Sequence, residues 1–286
     1  MSFFRLIRIG NLAIIAVTML GVWTSITKED SNGFMVDFIL LICFTLLVAA
    51  AGNTINDYFD YKSDRLNKPE RLIIEKTIKK RWAIIIHWGF NLIALLISLY
   101  LSWHINSWFY VFIHVFATSL LWYYSVTIKR MLFWSNFLIS FLVALVPLIT
   151  LKFVYDTGSP NTSHLYMIII ISAFAFVINF AREVIKDIQD MEGDKLRRIQ
   201  SFALVFGKAS ARKITSITLA TLIPIYLIGY FIHAFPSHLW FNLLFIGGMT
   251  TGMFGIVLII FNAAEKNVNL ILKLSLLLGS CSIYFL

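Results

Sequence analysis

The chain has 286 residues, of which 59% are hydrophobic and only 14% are charged. A soluble globular domain is usually about a quarter charged, so the composition excludes that class and indicates an integral membrane protein. The formal net charge of +9 is assigned to membrane topology, and we expect no nucleic-acid partner. Cys43 and Cys281 lie far apart inside apolar segments, so they predict neither a disulfide framework nor a metal site.

The apolar runs, taken in chain order, predict the fold class. A membrane-spanning helix needs about 20 mostly apolar residues. The first run follows two arginines, as in a signal peptide, but no small-residue cleavage site comes after it, so we interpret it as a span. No loop is long enough for a separate soluble domain, and residues 1–286 are expected to form one domain. We predict an all-α membrane protein with nine transmembrane helices, near residues 11–26, 36–57, 82–103, 108–125, 132–152, 164–182, 212–232, 239–261 and 269–285.

Lysine and arginine concentrate in alternate connections between the predicted spans. Of the 24 lysines and arginines, only Lys28 and Lys152 fall on the opposite side from the other 22. Cytoplasmic loops of membrane proteins carry the excess of basic residues. We therefore expect a multi-pass protein of the cell (inner) membrane, surrounded by membrane lipids, with a cytoplasmic N-terminus and an external C-terminus.

Two polar stripes lie at the cytoplasmic ends of the second and sixth predicted spans. Steps of four, three and four residues keep side chains on one face of a helix. Both stretches have this spacing. The first stripe consists of Asn53, Asp57, Asp60 and Asp64, and the second stripe consists of Glu183, Asp187, Asp190 and Asp194.

Carboxylates grouped in this way repel one another. Two like charges about 6 Å apart repel by roughly 3 kcal/mol at an effective dielectric constant of 20, and the C-terminal end of a helix disfavours anions further. Bound cations would offset both effects. Carboxylates without histidine or thiolate partners suit hard cations, above all Mg²⁺, which completes its shell with water and substrate phosphates. The alternative is that the stripes are solvated helix ends, salt-bridged to nearby lysines.

Basic residues lie beside both stripes. Arg182 and Lys186 have helical spacing next to the second stripe, and Lys68 and Arg71 follow the first. Bases mixed with carboxylates would suit a complex of diphosphate with Mg²⁺, although the loop-charge rule alone explains most of the bases.

The same residues carry a family resemblance. NDYFDYKSD, from Asn56 to Asp64, resembles the NDxxDxxxD motif of the UbiA-type intramembrane prenyltransferases, and DMEGD, from Asp190 to Asp194, resembles their DxxxD motif. Three further segments are similar to family segments: IRIGN (7–11), YYSVTIKR (123–130) and SFALVFG (201–207). The first has isoleucine where the family usually has proline. The motifs are most similar to the branch whose acceptor is a prenylglyceryl phosphate, but RLIIEKTIKK (71–80) replaces that branch's Pro-x-Pro-Ser-Gly run.

The resemblance implies a Mg²⁺-dependent enzyme that moves a prenyl group, expected to be geranylgeranyl, from its diphosphate to a lipid acceptor. It implies catalytic roles for Asp60, Asp64, Asp190 and Asp194, which with Asn56, Asp57 and Asp187 are the expected metal ligands. Lys129, Arg182, Lys186 and Arg71 are expected to neutralise the leaving diphosphate. The ring of Tyr124 is expected to stabilise the allylic cation, or else to be an interfacial anchor. The remaining expected substrate-binding residues are Arg8, Asn11, Asn53 and Lys68.

Three other functions are weighed against this interpretation. Within the family, the acceptor could be an aromatic or quinone precursor. An ion-coupled membrane transporter would place charge near the bilayer centre, whereas both stripes lie at one surface. A CDP-alcohol phosphotransferase would carry a DGxxAR signature, which the sequence lacks.

Overall fold

The computed structural model describes residues 2–27, 33–67, 69, 72–158, 164–196 and 200–286, and these residues are almost entirely helical. Apart from an isolated bridge between Ile74 and Ile78, these ranges contain no β-structure. The helices are α1 (Ser2–Leu6), α2 (Ile9–Ile26), α3 (Met35–Asn67), α4 (Lys80–His104), α5 (Phe109–Val126), α6 (Trp134–Thr157), α7 (Leu165–Leu196), α8 (Phe202–Ala220), α9 (Leu222–Phe231), α10 (Leu239–Ile260) and α11 (Glu265–Ser282).

Nine helical segments within the described ranges are long and apolar enough to cross a membrane, which confirms the predicted all-α class and span count. Helices satisfy every backbone hydrogen bond internally, so apolar runs of this length adopt them in lipid. The seventh segment combines α8 and α9 and begins at Phe202, ten residues before the predicted boundary at 212. The sixth continues well beyond its predicted end at 182, because the second stripe extends α7 to Leu196.

The spans form a closed ring. Successive spans contact each other along the chain, and α11 contacts α2 to complete the circle. Helices α2 and α6 also contact each other, as do α3 and α7. The two helices that carry the stripes therefore meet inside the bundle.

Two local features shape the end of the bundle where the stripes lie. Ile73 and Ile74, in the connection between α3 and α4, pack with Leu6 of α1 against Tyr58 and Tyr61 of α3. This cluster fixes the N-terminal segment beside the first stripe. In α8, Gly207 has a φ of 84° and interrupts the helical backbone shortly after the second stripe.

Candidate active site

The first stripe is held by cations from two other parts of the chain. Arg8, which precedes α2, donates from Nη2 to Oδ1 of Asp57 at 2.8 Å. Lys129, in the connection between α5 and α6, forms an ion pair with Asp60, whose exposed fraction is only 3%. Asn53 donates from Nδ2 to the carbonyl oxygen of Ile7 at 3.0 Å. The stripe thus joins the start of α2 and the end of α5.

Arg8 and Lys129, which both lie outside the membrane-spanning helices, remain charged. Burial by itself lowers the pKa of Lys129, but the carboxylates of Asp60 and Asp64 outweigh this effect, and the pKa lies above its usual value. Burial also lowers the pKa of Arg8, and Asp57 and Glu183 together raise it above the usual value. Each group has its pKa raised by a carboxylate that it contacts, as expected when opposite charges are close.

The second stripe has a different set of partners. Lys186 forms an ion pair with Glu183 one turn before it. Asn136 of α6 donates from Nδ2 to Oδ2 of Asp187 at 2.9 Å. Asp190 is half-buried and Asp194 is buried. Asp187 is therefore hydrogen-bonded to a neutral amide, whereas a carboxylate at a solvated helix end would form a salt bridge with a nearby lysine.

The two stripes face a common space. The charge of Arg8 interacts with Asp57 in the first stripe and with Glu183 in the second. The charge of Lys129 interacts with Asp60 in the first stripe and with Asp187 in the second. The predicted juxtaposition of the stripes at one end of the bundle is therefore present in the structure.

A cavity of about 200 Å³ extends from this space into the bundle. Most of its polar lining residues come from the start of α2 and from the parts of α3 and α7 nearest the stripes, and these are Arg8, Asn11, Asn53, Asn56, Asn179, Arg182, Glu183 and Lys186. Further along α2 and α3, and on α6, the walls become apolar, with Ile15, Phe44, Val48, Val146 and Ile149. A smaller cavity of about 40 Å³ shares Ile15, Val143 and Val146 with the first. The shape and lining suit a ligand with an anionic head and a hydrocarbon tail.

Tyr124 lies on the cavity wall, near the end of α5. It is half-buried and interacts electrostatically with Lys129. Tyr124 therefore lines the cavity, and its role in stabilising the allylic cation stays a prediction.

The residues present fit a Mg²⁺ site that a ligand completes. No group of three or more His, Cys, Asp or Glu side chains within the described ranges is close enough to form a ready-made metal centre. Oδ1 of Asn56 is a buried oxygen with no hydrogen-bond partner among these residues, and its side chain lines the cavity. Amide and carboxylate oxygens are hard ligands, and Mg²⁺ uses few of them when phosphates and water supply the rest. The donor chemistry therefore matches the predicted cation.

Two of the predicted site residues lie outside the described part of the chain, namely Lys68 and Arg71. The other predicted residues are all described. Asn11, Asn53, Asn56, Tyr124, Arg182 and Lys186 line the cavity together with Arg8, whereas Asp57, Asp60, Asp64, Lys129, Asp187, Asp190 and Asp194 belong to the stripes and their partners beyond it.

Sequence reasoning did not identify three asparagines of the site. Asn136 contacts Asp187. Asn179 and Asn269 both accept hydrogen bonds from Arg182, at 3.2 Å from Nη1 and 3.1 Å from Nε respectively. Each lies within a predicted membrane span, and an asparagine in a span usually bonds across to another helix. That signal was available in the sequence, but it does not reveal the partner.

The chain is similar in sequence to known membrane prenyltransferases. The family model described as "UbiA prenyltransferase family" matches residues 14–277. A digeranylgeranylglyceryl phosphate synthase of Thermococcus kodakarensis is 30% identical over 210 residues, which are 73% of this chain and 70% of that protein.

Solved structures have the same fold. A structure concerning digeranylgeranylglyceryl phosphate synthase superposes with a TM-score of 0.66 at 22% identity, over 100% of this chain and 98% of that one. A UbiA homologue from Archaeoglobus fulgidus bound to DMAPP and Mg²⁺ superposes with a TM-score of 0.64 at 15% identity, over 100% of both chains. Because the family model spans nearly the whole chain, and the two helices that carry the motifs contact each other, the protein belongs to the UbiA family of membrane prenyltransferases.

Proposed function

We propose that this prenyltransferase moves a geranylgeranyl group from its diphosphate to the hydroxyl group of a prenylglyceryl phosphate. The observation that carries the proposal is a single cavity whose polar end adjoins both acidic stripes and whose far end is apolar. An isoprenoid diphosphate has the same division between an anionic head and a hydrocarbon tail. The relatives named for digeranylgeranylglyceryl phosphate synthesis support this acceptor.

The proposed reaction breaks the bond between the first prenyl carbon and the diphosphate oxygen. The diphosphate leaves with the electron pair of that bond, the acceptor's hydroxyl oxygen bonds to the carbon, and the hydroxyl proton passes to the departing diphosphate. Bound Mg²⁺ would place positive charge on the diphosphate as negative charge develops there, which is a large catalytic effect. A homologue of the same fold that binds DMAPP and Mg²⁺ supports this cofactor.

The following residues of the chain would bind the cation and the substrate. Asn56, Asp60, Asp64, Asp190 and Asp194 would hold the cation, with Asp57 and Asp187 as further carboxylates of the same stripes. Lys129 and Lys186, each already beside a stripe carboxylate, would contact the diphosphate. Arg8, Asn11 and Asn53 would bind the head group where α2 begins. The ring of Tyr124 would face the allylic cation.

We further propose that the single domain lies in the cell (inner) membrane with its N-terminus and both stripes on the cytoplasmic side. This orientation follows from the loop charges. It would give the stripes access to water-soluble Mg²⁺ and to the diphosphate end of the donor.

An acceptor panel tests the proposed function. The purified full chain, with geranylgeranyl diphosphate and Mg²⁺, would be given geranylgeranylglyceryl phosphate, 4-hydroxybenzoate or no acceptor, and the prenylated product would be quantified. We expect product with geranylgeranylglyceryl phosphate alone. Product with 4-hydroxybenzoate instead would assign the protein to aromatic prenylation, and no product with either would contradict the proposed substrates.

A further inference from the structure

Arg182 is a buried cation on the cavity wall that neutral groups hold. Its exposed fraction is 7%, and its Nε and Nη1 donate to the side-chain oxygens of Asn269 and Asn179. The charge of Arg182 interacts with that of Glu183, but Glu183 forms its ion pair with Lys186, and no carboxylate in the described ranges forms one with Arg182. The two amide contacts leave Nη2 and one hydrogen of Nη1 for another partner, because a guanidinium has five donors.

Lys273 is a second such cation beside it. It lies on α11 one turn after Asn269, so both side chains share a helix face. Its Nζ is 3.2 Å from the position that a Cβ on Gly10 would occupy, and its charge interacts with that of Arg182. Throughout the described part of the chain, Lys273 has no hydrogen bond and no ion pair. The absence of a side chain at Gly10 leaves room for its ammonium group at the start of α2.

Two neighbouring cations that form no ion pair are unfavourable in a membrane-spanning region. Ionisable residues there usually pair with one another or mark a binding site, and an uncompensated buried charge is strongly destabilising. The cations nearest the stripes are different, since Arg8, Lys129 and Lys186 each have a carboxylate partner. Among the described residues, Arg182 and Lys273 therefore have no carboxylate within ion-pair distance.

We propose that Arg182 does not contact the diphosphate, contrary to what the family resemblance implies, but forms with Lys273 a second anion site, which binds the phosphate monoester of the lipid acceptor. The inference rests on the proposed function, in which the acceptor carries one phosphate and the donor carries the diphosphate. The planar guanidinium presents two parallel donors to phosphate oxygens, and Asn179 and Asn269 hold it in place. The site would select phosphorylated acceptors over neutral lipid alcohols.

Equilibrium binding of geranylgeranylglyceryl phosphate to the purified full chain, without donor or Mg²⁺, tests the proposal. Lys273→Met keeps the length of the side chain and removes its charge. We expect the dissociation constant to rise about tenfold, as for loss of one hydrogen bond between charged groups. Lys266→Met is the matched control, because Lys266 is exposed on the same helix, and we expect it to bind normally. Lys273→Arg should retain most of the affinity.

Two further measurements distinguish binding of the acceptor phosphate from binding of other anions. Binding of geranylgeranyl diphosphate with Mg²⁺ should be the same for Lys273→Met and the unmodified protein, and geranylgeranylglycerol without its phosphate should bind both equally weakly. If Lys273→Met binds the donor more weakly but binds the acceptor normally, the second site is overturned and Lys273 is assigned to the diphosphate. Competition by phosphatidylglycerol as strong as by the acceptor would instead indicate a general lipid-headgroup site and also overturn the proposal.

The remaining outcomes distinguish this inference from the proposed function. If the unmodified protein binds the acceptor and Lys273→Met binds it equally well, Lys273 is a snorkelling side chain and only the inference fails. If the unmodified protein does not bind geranylgeranylglyceryl phosphate at all, the proposed acceptor fails and the inference fails with it.

Discussion

Asp60 depends on a cation that comes from a distant part of the chain. Its carboxylate is almost fully buried at the end of α3, and Lys129 reaches it from the connection between α5 and α6. A buried carboxylate is stable only when it is paired or hydrogen-bonded. The ion pair thus holds together two sides of the site, and it places an ammonium group where a metal ion would also be attracted.

We predict that Lys129→Met lowers the stability of the protein by about 2 kcal/mol, because one partner of a mostly buried pair is removed. The midpoint of thermal unfolding in detergent should fall by roughly 5 °C. Added Mg²⁺ should raise this midpoint more in the variant than in the unmodified protein, because the metal can replace the missing charge. Lys129→Arg serves as the control and should unfold near the normal temperature. An unchanged midpoint for Lys129→Met would show that Asp60 does not rely on the pair.

At this scale the sequence predicts the stripes well and their partners poorly. The 4-3-4 spacing identifies the carboxylates, because the periodicity of a helix fixes which side chains share a face. Lys129 and Arg8 were assigned through the family resemblance. Asn136, Asn179 and Asn269 were not identified, because each lies within a predicted span and its contacts depend on how separate helices pack.

Helices α10 and α11 pack closely because Gly248 has no side chain. A Cβ at Gly248 would lie 3.1 Å from the backbone nitrogen of Gly279 and 3.2 Å from the carbonyl oxygen of Ser275. Ser275 in turn donates from Oγ to the carbonyl oxygen of Gly248 at 2.6 Å. Small residues at helix interfaces allow such approach in membranes. This contact sets the position of α11, which carries Asn269 and Lys273.

We predict that Gly248→Ala destabilises the protein by about 1–3 kcal/mol, because the added methyl group meets backbone atoms that cannot move aside easily. Gly247→Ala is the matched control. A Cβ there meets nothing within 4 Å, and alanine favours a helix by about 1 kcal/mol over glycine. Thermal unfolding of the two neighbouring variants should therefore shift in opposite directions. Equal shifts would mean that α10 and α11 leave enough space at Gly248 for a methyl group.

The element boundaries show what hydropathy can and cannot predict. Apolar runs locate all nine spans within the described ranges. The boundaries are wrong where a helix continues in a polar sequence, as α7 does through the second stripe and α8 does before residue 212. Hydropathy predicts the part of a helix that contacts lipid. The full length of the helix also depends on packing and capping outside the membrane.

The whole molecule is a ring of spans that brings distant segments to one cavity. Its polar end collects residues from the start of α2, the end of α3 and the second half of α7, and its apolar end is lined by α2, α3, α5 and α6. The sequence could predict the two acidic motifs and the membrane class. The closure of the ring and the depth of the cavity follow from contacts between helices far apart in the chain.

Release of diphosphate from geranylgeranyl diphosphate tests the central claim most directly, because it requires both stripes to act on one donor. The purified protein would be assayed with acceptor and either Mg²⁺ or EDTA, and compared with Asp190→Asn and Glu192→Gln. Glu192 is exposed two residues from Asp190 and lies off the stripe, so it is a matched control. We predict release that requires Mg²⁺, falls by about 100-fold in Asp190→Asn and is unchanged in Glu192→Gln. Release in EDTA at the normal rate, or an equal effect of the two substitutions, would contradict a catalytic role for the stripes.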